Sequence, residues 1–149
     1  HMLRVRDAQD ECIQNGYDSK GFLAFIPFTF QPDNTNLKRE RETPEAYLKT
    51  VAIGRLAIDN VPNLQSSWVT MGPEVGKLSL TYGCNDFGST MMEENVVSSA
   101  GAVYKVNIES IIQLIRETGN IPAQRNTRYD ILRVFEDNST VERDFVMQN

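Results

Sequence analysis

The chain has 149 residues, of which 40% are hydrophobic and 23% charged, a composition typical of one globular unit with its own core. Its formal net charge is −5 and its basic residues are interleaved with acids, which argues against nucleic acid as a partner. No apolar run reaches the roughly 20 residues of a membrane span, so we expect a cytoplasmic protein without membrane contact.

Side chains that commonly bind metals are few in this sequence. Cys12 and Cys84 lie far apart and form no C-x-x-C pair, so we interpret them as two reduced thiols. The single histidine, His1, is interpreted together with Met2 as a cloning scar at residues 1–2. A zinc or iron site built from this chain alone is therefore not expected.

Helical and strand patterns alternate along the chain. The predicted elements are a helix over 3–14, a strand buried on both faces over 21–30, a helix over 43–58, a strand over 64–70, a helix over 74–82, a strand over 86–92 and a helix over 109–119. Thr43 and Pro44 have the residue types of a helix start. Strands that alternate with helices of this length indicate β-α units and a parallel sheet. Residues 121–129 are less regular.

Polar side chains follow each predicted strand. Gln31 follows the first strand, Thr70 ends the second, and a carboxylate and amide cluster of Glu93, Glu94 and Asn95 follows the third. Right-handed crossovers place such strand ends on one rim, so we expect these side chains to face the same space. Acids and amides at strand ends are typical of an α/β-barrel active site. The alternative is a solvated strand end whose two glutamates favour a helix dipole.

Three further positions have structural explanations. Trp68 is predicted to lie in the core, and Asp86 is predicted to cap or brace its strand. Arg125 has two interpretations: its guanidinium binds a substrate carboxylate, or it pairs with an acid of the protein, which is the commoner fate of an arginine.

Four segments, taken together and in this order, resemble one family: residues 25–35, 65–72, 85–95 and 122–127. They are similar to the C-terminal part of the dehypoxanthine futalosine cyclases, radical S-adenosylmethionine enzymes of the futalosine route to menaquinone. Aminodeoxyfutalosine synthase and FO synthase are similar too, but they tend to carry a histidine where this chain has Gln31 before Pro32. The family's C-x-x-x-C-x-x-C motif, which holds a 4Fe–4S cluster, is absent from this sequence.

The resemblance implies an α/β fold, namely the C-terminal part of a (β/α)8 TIM-type radical SAM barrel. Residues 3–130 would form about three β-α units with parallel strands, corresponding to strands six to eight, and residues 131–149 would form a partly mobile tail. Such an incomplete barrel exposes strand edges, so we expect a homo-oligomer.

The resemblance also implies a function for the intact parent protein. A radical formed from S-adenosylmethionine takes a hydrogen from the ribose of the nucleoside substrate, and the sugar radical adds to the attached benzoate ring. Loss of one electron and one proton then restores the aromatic ring. This chain would supply the substrate side, would bind neither cluster nor S-adenosylmethionine, and would be inactive alone. The alternative within the same class is a fragment of a related aminodeoxyfutalosine synthase or FO synthase. A non-catalytic binding module built from a partial barrel is the alternative of another class.

Roles for single residues follow from the same resemblance. Glu93 or Glu94 would contact ribose hydroxyls or act as a general base, and alternation along the strand favours only one of the two facing inward. Arg125 would bind the benzoate carboxylate. The remaining predicted substrate-binding residues are Gln31, Thr70, Ser89, Thr90 and Asn95.

Overall fold

The computed structural model describes residues 1–16, 20–32, 35–90, 104 and 106–136. The helices are α1 (Met2–Gln14), α2 (Pro44–Ala57), α3 (Trp68–Met71), α4 (Pro73–Thr81) and α5 (Ile108–Glu117). The strands are β1 (Ala24–Phe25), β2 (Asn63–Leu64), β3 (Ala123–Arg125) and β4 (Ile131–Val134). Within these ranges, no helix combines the length and the apolar character needed to cross a bilayer.

Helix α2 begins where the sequence predicts it. The Thr43 hydroxyl accepts a hydrogen bond from the Ala46 backbone N–H at 3.2 Å, and Pro44 occupies the first turn. This cap satisfies one of the backbone donors that a helix start leaves without a partner. The helices predicted over 3–14, 74–82 and 109–119 are also confirmed, as α1, α4 and α5.

Three segments of the chain run parallel to one another. In the register of β1 and β2, Ala24 pairs with Asn63 and Phe25 with Leu64. Beyond β2, a parallel bridge joins Gln65 to Asp86, and the Asn85 backbone N–H donates to the Leu64 carbonyl at 3.1 Å. The segment around Asp86 therefore lies next to β2 on the side away from β1, which confirms a mixed α/β chain with parallel strands.

The predicted first strand is too long. Only Ala24–Phe25 has strand pairing, and the prediction of burial on both faces is wrong for Phe22, Phe28 and Phe30, which are 47%, 68% and 42% exposed. Among the described residues β1 has one strand neighbour, β2, so its far side lacks a partner to cover these rings.

The second and third predicted strands also need correction. Trp68–Met71 is helical rather than extended, because the backbone N–H groups of Thr70 and Met71 both turn back to the Ser67 carbonyl. In the third segment only Asp86 has a strand bridge, and Gly88 adopts a φ of 102°, which breaks the extended path. Residues 91–92 of that predicted strand lie outside the described residues.

An antiparallel hairpin occupies a region where the sequence predicted irregular structure and the start of a tail. Strands β3 and β4 pair with Gln124 opposite Arg133, and the register shifts next to Arg125. Most side chains of both strands are exposed, so the apolar alternation that identifies a half-buried strand is missing from the sequence. The predicted tail lies outside the described residues from 137 onward.

Two apolar clusters hold the helices against the parallel segments. The first centres on Tyr47, Leu48 and Val51 of α2 together with Leu64 of β2. The second centres on Trp68, which is 1% exposed as the sequence predicted. Its ring stacks on Phe87 with centroids 6.2 Å apart, and Ile111 of α5 packs on the same cluster. Burial of these aromatic rings fixes the position of the segments that follow β2 and Asp86.

Candidate functional site at the strand ends

Two groups of polar side chains lie after the parallel segments. The first, called here the hydroxyl cluster, consists of Thr29, Gln31, Ser67 and Thr70. The second, called the arginine cluster, consists of Gln65, Asp86, Arg125 and Tyr129. Each cluster joins residues that are distant in sequence, so each depends on the fold for its geometry.

The hydroxyl cluster is a chain of hydrogen bonds. Gln31 Nε2 donates to Thr29 Oγ1 at 3.1 Å, and Thr29 Oγ1 donates to Thr70 Oγ1 at 3.0 Å. The hydroxyls of Thr70 and Ser67 lie 2.8 Å apart. Gln31 and Thr70, which the sequence places at the ends of two different strands, are thus joined through Thr29, although the strands themselves end earlier, at Phe25 and Leu64.

One hydrogen-bond acceptor of this cluster has no donor among the described residues. Gln31 Oε1 is buried and has no hydrogen-bond partner among the described residues. A buried carbonyl oxygen without a donor is costly, and such atoms are rare in folded proteins unless a ligand or water satisfies them. The cluster can therefore accept a hydrogen bond from a hydroxyl or amine at this point.

Tyr47 supports the cluster from the core side. Its hydroxyl accepts a hydrogen bond from the Ser67 backbone N–H at 2.8 Å, and its side chain is almost fully buried. Burial raises the pKa of Tyr47 above its usual value, so the phenol stays neutral. The sequence analysis missed Tyr47, Ser67 and Thr29; only Thr29, two residues before Gln31 and hence on the same side of an extended segment, carried a usable signal.

The arginine cluster ties the hairpin to the third parallel segment. Arg125 Nε donates to Asp86 Oδ2 at 2.8 Å, and Arg125 Nη2 lies 2.6 Å from the same oxygen. Nη2 also donates to Gln65 Oε1 at 3.2 Å, while Asp86 Oδ1 accepts from the Gly88 backbone N–H at 2.9 Å. Asp86 thus braces the chain, as predicted, and Arg125 pairs with an acid of the protein, which was one of its two interpretations.

Tyr129 covers one face of the guanidinium. The Arg125 Cζ atom lies 4.0 Å from the centroid of the Tyr129 ring, a distance typical of a cation–π contact. The Tyr129 hydroxyl donates to Gln65 Oε1 at 3.2 Å, and the residue has a φ of 66°, which is unusual for a side chain of this size. Burial, and secondarily the Asp86 carboxylate, raises the pKa of Tyr129.

The other predicted site residues fall into two sets. Ser89 is exposed and Thr90 is half-buried, and both line a cavity of about 700 Å³ beside Arg125 and Tyr129. The isoleucines of α5 also line this cavity. Glu93, Glu94 and Asn95 lie outside the described residues.

The described residues do not fit an iron–sulfur cluster. Cluster irons are held by cysteine thiolates, but Cys84 is 4% exposed and burial raises its pKa to about 11. The described part of the chain contains no group of three or more His, Cys, Asp or Glu side chains placed to hold a metal ion. Cys84 is therefore a packing residue of the first apolar cluster, which is centred on α2, and its burial agrees with this role.

Parallel segments connected by helices, with hydrogen-bonding side chains collected beyond the strands, define an α/β protein, and these side chains form its candidate ligand site. Comparison with known proteins adds the family. Residues 19–138 match the family model described as the CofH/MqnC C-terminal region, and the chain belongs to this family.

Named relatives match between 91% and 100% of the chain but are much longer than it. A cyclic dehypoxanthine futalosine synthase of Halalkalibacterium halodurans is 64% identical over 150 aligned residues, which cover 100% of this chain and 39% of the relative. A protein of the same name from Streptomyces coelicolor is 51% identical over 92% of this chain and 33% of its own length. An aminodeoxyfutalosine synthase of Streptomyces coelicolor is 35% identical over 91% of this chain and 37% of its own length.

Proposed function

We propose that this chain is the C-terminal, substrate-side portion of a radical S-adenosylmethionine enzyme that cyclises dehypoxanthine futalosine to cyclic dehypoxanthinyl futalosine in menaquinone biosynthesis. The observation that carries the proposal is the 64% identity to a cyclic dehypoxanthine futalosine synthase across the whole chain. The aminodeoxyfutalosine synthase reaction is the second candidate, supported by a relative at 35% identity.

The finer fold proposal is that the three parallel segments are strands six, seven and eight of a (β/α)8 barrel. The parallel order of β1, β2 and the Asp86 segment supports it, as does a chain that spans 39% of its relative's length. Exposed rings after β1, such as Phe28, agree with a surface that further strands cover in the parent.

The proposal assigns the 4Fe–4S cluster and S-adenosylmethionine to parts of the parent protein other than the described residues. Neither described cysteine suits a cluster, since Cys84 is buried with a raised pKa and Cys12 lies on α1, with no third ligand beside either. We accordingly expect the chain by itself to bind neither group and to be inactive.

On the substrate side, Gln31 is the residue with the clearest role. Its unpartnered Oε1 would accept a hydrogen bond from a hydroxyl of the nucleoside, while Thr29 and Thr70 hold the amide in place. Ser89 and Thr90 would contact the substrate from the third segment. The proposed catalytic pair, Glu93 and Glu94, and the proposed amide contact, Asn95, follow them in the sequence.

The experiment is an anaerobic assay of the parent protein after iron and sulfide have been supplied, with dehypoxanthine futalosine, S-adenosylmethionine and a reductant. We expect a cyclised product together with 5′-deoxyadenosine. Replacing Gln31 by Met, which keeps the length but removes the acceptor, should raise KM roughly five- to tenfold, the effect of one lost hydrogen bond. Gln113→Met, on the exposed side of α5, is the matched control and should leave KM unchanged.

Other outcomes would redirect the proposal. Cleavage of S-adenosylmethionine without cyclised product would favour the synthase reaction, and the substrates of that enzyme should then be turned over. No bound iron and no cleavage would leave a partial-barrel binding module. An unchanged KM in Gln31→Met would remove Gln31 from the site while leaving the enzyme class intact.

A further inference from the structure

We propose that Arg125 is a positioning residue: through Asp86 it holds the β3–β4 hairpin against the third parallel segment and fixes the chain path into Phe87 and Gly88. This role differs from direct binding of a substrate carboxylate. It rests on the proposed function only for the activity readout described below, because the contacts that define it lie within the protein.

The guanidinium fork is occupied by the protein itself. Nε and Nη2 both lie within 2.8 Å of Asp86 Oδ2, at 2.8 and 2.6 Å, and Nη2 reaches Gln65 Oε1 as well. Nη1 donates to the Asn126 carbonyl at 3.1 Å. Recognition of a carboxylate by both arms of the fork requires two parallel N–H groups. A substrate carboxylate bound in that way would first have to displace Asp86 from Nε and Nη2, or Gln65 from Nη2.

A planar face of the guanidinium is covered as well. The Tyr129 ring lies 4.0 Å from Arg125 Cζ, and the Tyr129 hydroxyl shares Gln65 Oε1 with Arg125 Nη2. The left-handed backbone of Tyr129, with φ of 66°, is unfavourable for a non-glycine residue and persists only where surrounding contacts hold it. The strained residue therefore belongs to the same assembly as the ion pair.

Asp86 connects this assembly to the segment that carries Ser89 and Thr90. One carboxylate oxygen accepts from Arg125 and the other accepts from the Gly88 backbone N–H at 2.9 Å. Gly88 has φ of 102°, and a β-carbon there would lie 3.1 Å from Gln65 Nε2, so the backbone passes close to the cluster. Arg125 thus acts, through one carboxylate, on the turn that leads toward Ser89 and Thr90.

Burial separates this ion pair from an ordinary surface pair. The side chains of Arg125 and Asp86 are 23% and 10% exposed, whereas those of Arg6 and Asp59 are 42% and 61% exposed. Exposed pairs contribute little to stability, while removing one partner of a buried pair leaves a charge without compensation. The Arg6–Asp59 pair is therefore a matched control: a similar contact in a different setting.

The test uses the whole parent protein with Arg125→Gln, Asp86→Asn, the double variant and the control Arg6→Gln. We expect each single variant to lower kcat at least tenfold and to change KM by less than about threefold. The double variant should be no worse than the poorer single variant, because both remove one assembly. Arg125→Lys keeps the charge but loses the fork, so it should recover part of kcat even if Arg125→Gln folds poorly.

The proposal is overturned if Arg125→Gln raises KM at least tenfold with kcat unchanged while Asp86→Asn has no effect, since that pattern identifies a direct carboxylate contact. It is also overturned if the losses of the two single variants multiply in the double variant. Arg6→Gln should match the wild type throughout.

A second measurement separates this proposal from the proposed function. Amide hydrogen exchange of residues 86–90 and 123–134 should accelerate together, at least tenfold, in Arg125→Gln and not in Arg6→Gln. This expectation holds whichever reaction the parent catalyses. Unchanged exchange would refute the positioning role even in an active cyclase, whereas faster exchange in a parent without cyclase activity would refute the proposed function alone.

Discussion

Burial changes the acid–base behaviour of single side chains at Tyr47, Cys84 and Tyr129. Each of these groups is neutral in its protonated form, and in each the low-dielectric surroundings raise the pKa by disfavouring the anion. The largest resolved change is at Cys84, whose pKa rises from 9.0 to about 11, although a hydrogen bond with Ser79 opposes the shift. The folded state therefore holds these protons more tightly than the unfolded state.

This difference predicts a fall in stability at alkaline pH. The contribution of Cys84 is fully present below its unfolded pKa of 9.0 and is lost as the pH rises toward its folded pKa of about 11. The free energy of unfolding, measured in urea between pH 8 and pH 11, should fall by about 2 to 3 kcal/mol from this group. The buried Tyr47, whose pKa is also raised, should add to the fall above pH 10.

Two variants test whether Cys84 causes the loss of stability at alkaline pH. Cys84→Ala should lower stability at every pH, because it leaves a small cavity, but its pH dependence between 9 and 11 should be shallower than that of the wild type. Cys12→Ala, on the half-exposed thiol of α1, retains Cys84 and should keep the full slope. Equal slopes in all three proteins would mean that Cys84 does not carry the effect.

Among the elements, helices α2 and α4 each contain a buried glycine, and the two glycines differ in the space around them. A β-carbon on Gly76 of α4 would lie 2.6 Å from Trp68 Cβ. Helix α4 therefore packs against the apolar cluster centred on Trp68 more closely than any residue other than glycine would permit. A β-carbon on Gly54 of α2 would meet Phe25 and Met2 at 3.6 and 3.7 Å, which are ordinary contacts. Only the first glycine is required by packing.

We therefore predict opposite effects from the same substitution. Gly76→Ala should destabilise the chain by about 2 kcal/mol, because backbone must move away from a fully buried tryptophan. Gly54→Ala should stabilise it by roughly 0.5 to 1 kcal/mol, because alanine favours the helix and finds room. Urea unfolding of both variants measures this difference, and a loss of stability in Gly54→Ala as large as that in Gly76→Ala would contradict it.

At the scale of the whole molecule, the two outer edges of the three parallel segments have no strand partner among the described residues. Beside β1 the rings of Phe28 and Phe30 are exposed, and the segment at Asp86 is bridged to Gln65 on one side. Exposed strand edges and apolar rings favour pairing with another chain. In the parent barrel that we propose, further strands would take these positions, whereas in the isolated chain a second copy is the available partner.

We predict that the isolated chain self-associates at micromolar concentration, as measured by size-exclusion chromatography with light scattering. Phe28→Glu should weaken the association, because it places a charge beside the open side of β1. Leu56→Glu is the matched control, since Leu56 is 82% exposed but lies on helix α2. A clean monomer in the wild type, or an equal effect of both substitutions, would count against association through the strand edge.

The sequence by itself determined helices α1, α2, α4 and α5, the alternation of helices with parallel segments, and the family, whereas α3 was predicted as part of a strand. Helix starts and periodicities are local: Thr43 and Pro44 mark α2, and the 3.6-residue spacing of isoleucines marks α5. The resemblance noticed in four short segments agrees with the family model over residues 19–138. Gln31 and Thr70 could also be placed near each other, because strand order and crossover handedness bring strand ends to one rim.

Tertiary structure alone decided where the strands stop and which polar atoms meet. The Thr29–Thr70 hydrogen bond spans 41 residues and the Arg125–Asp86 bond spans 39, so neither depends on local periodicity. The exposed faces of β3 and β4 leave no apolar alternation in the sequence, although their hairpin is what carries Arg125 to Asp86. Whether an arginine meets a ligand or an acid of the protein depends on the path of both segments through space, which residue type alone does not specify.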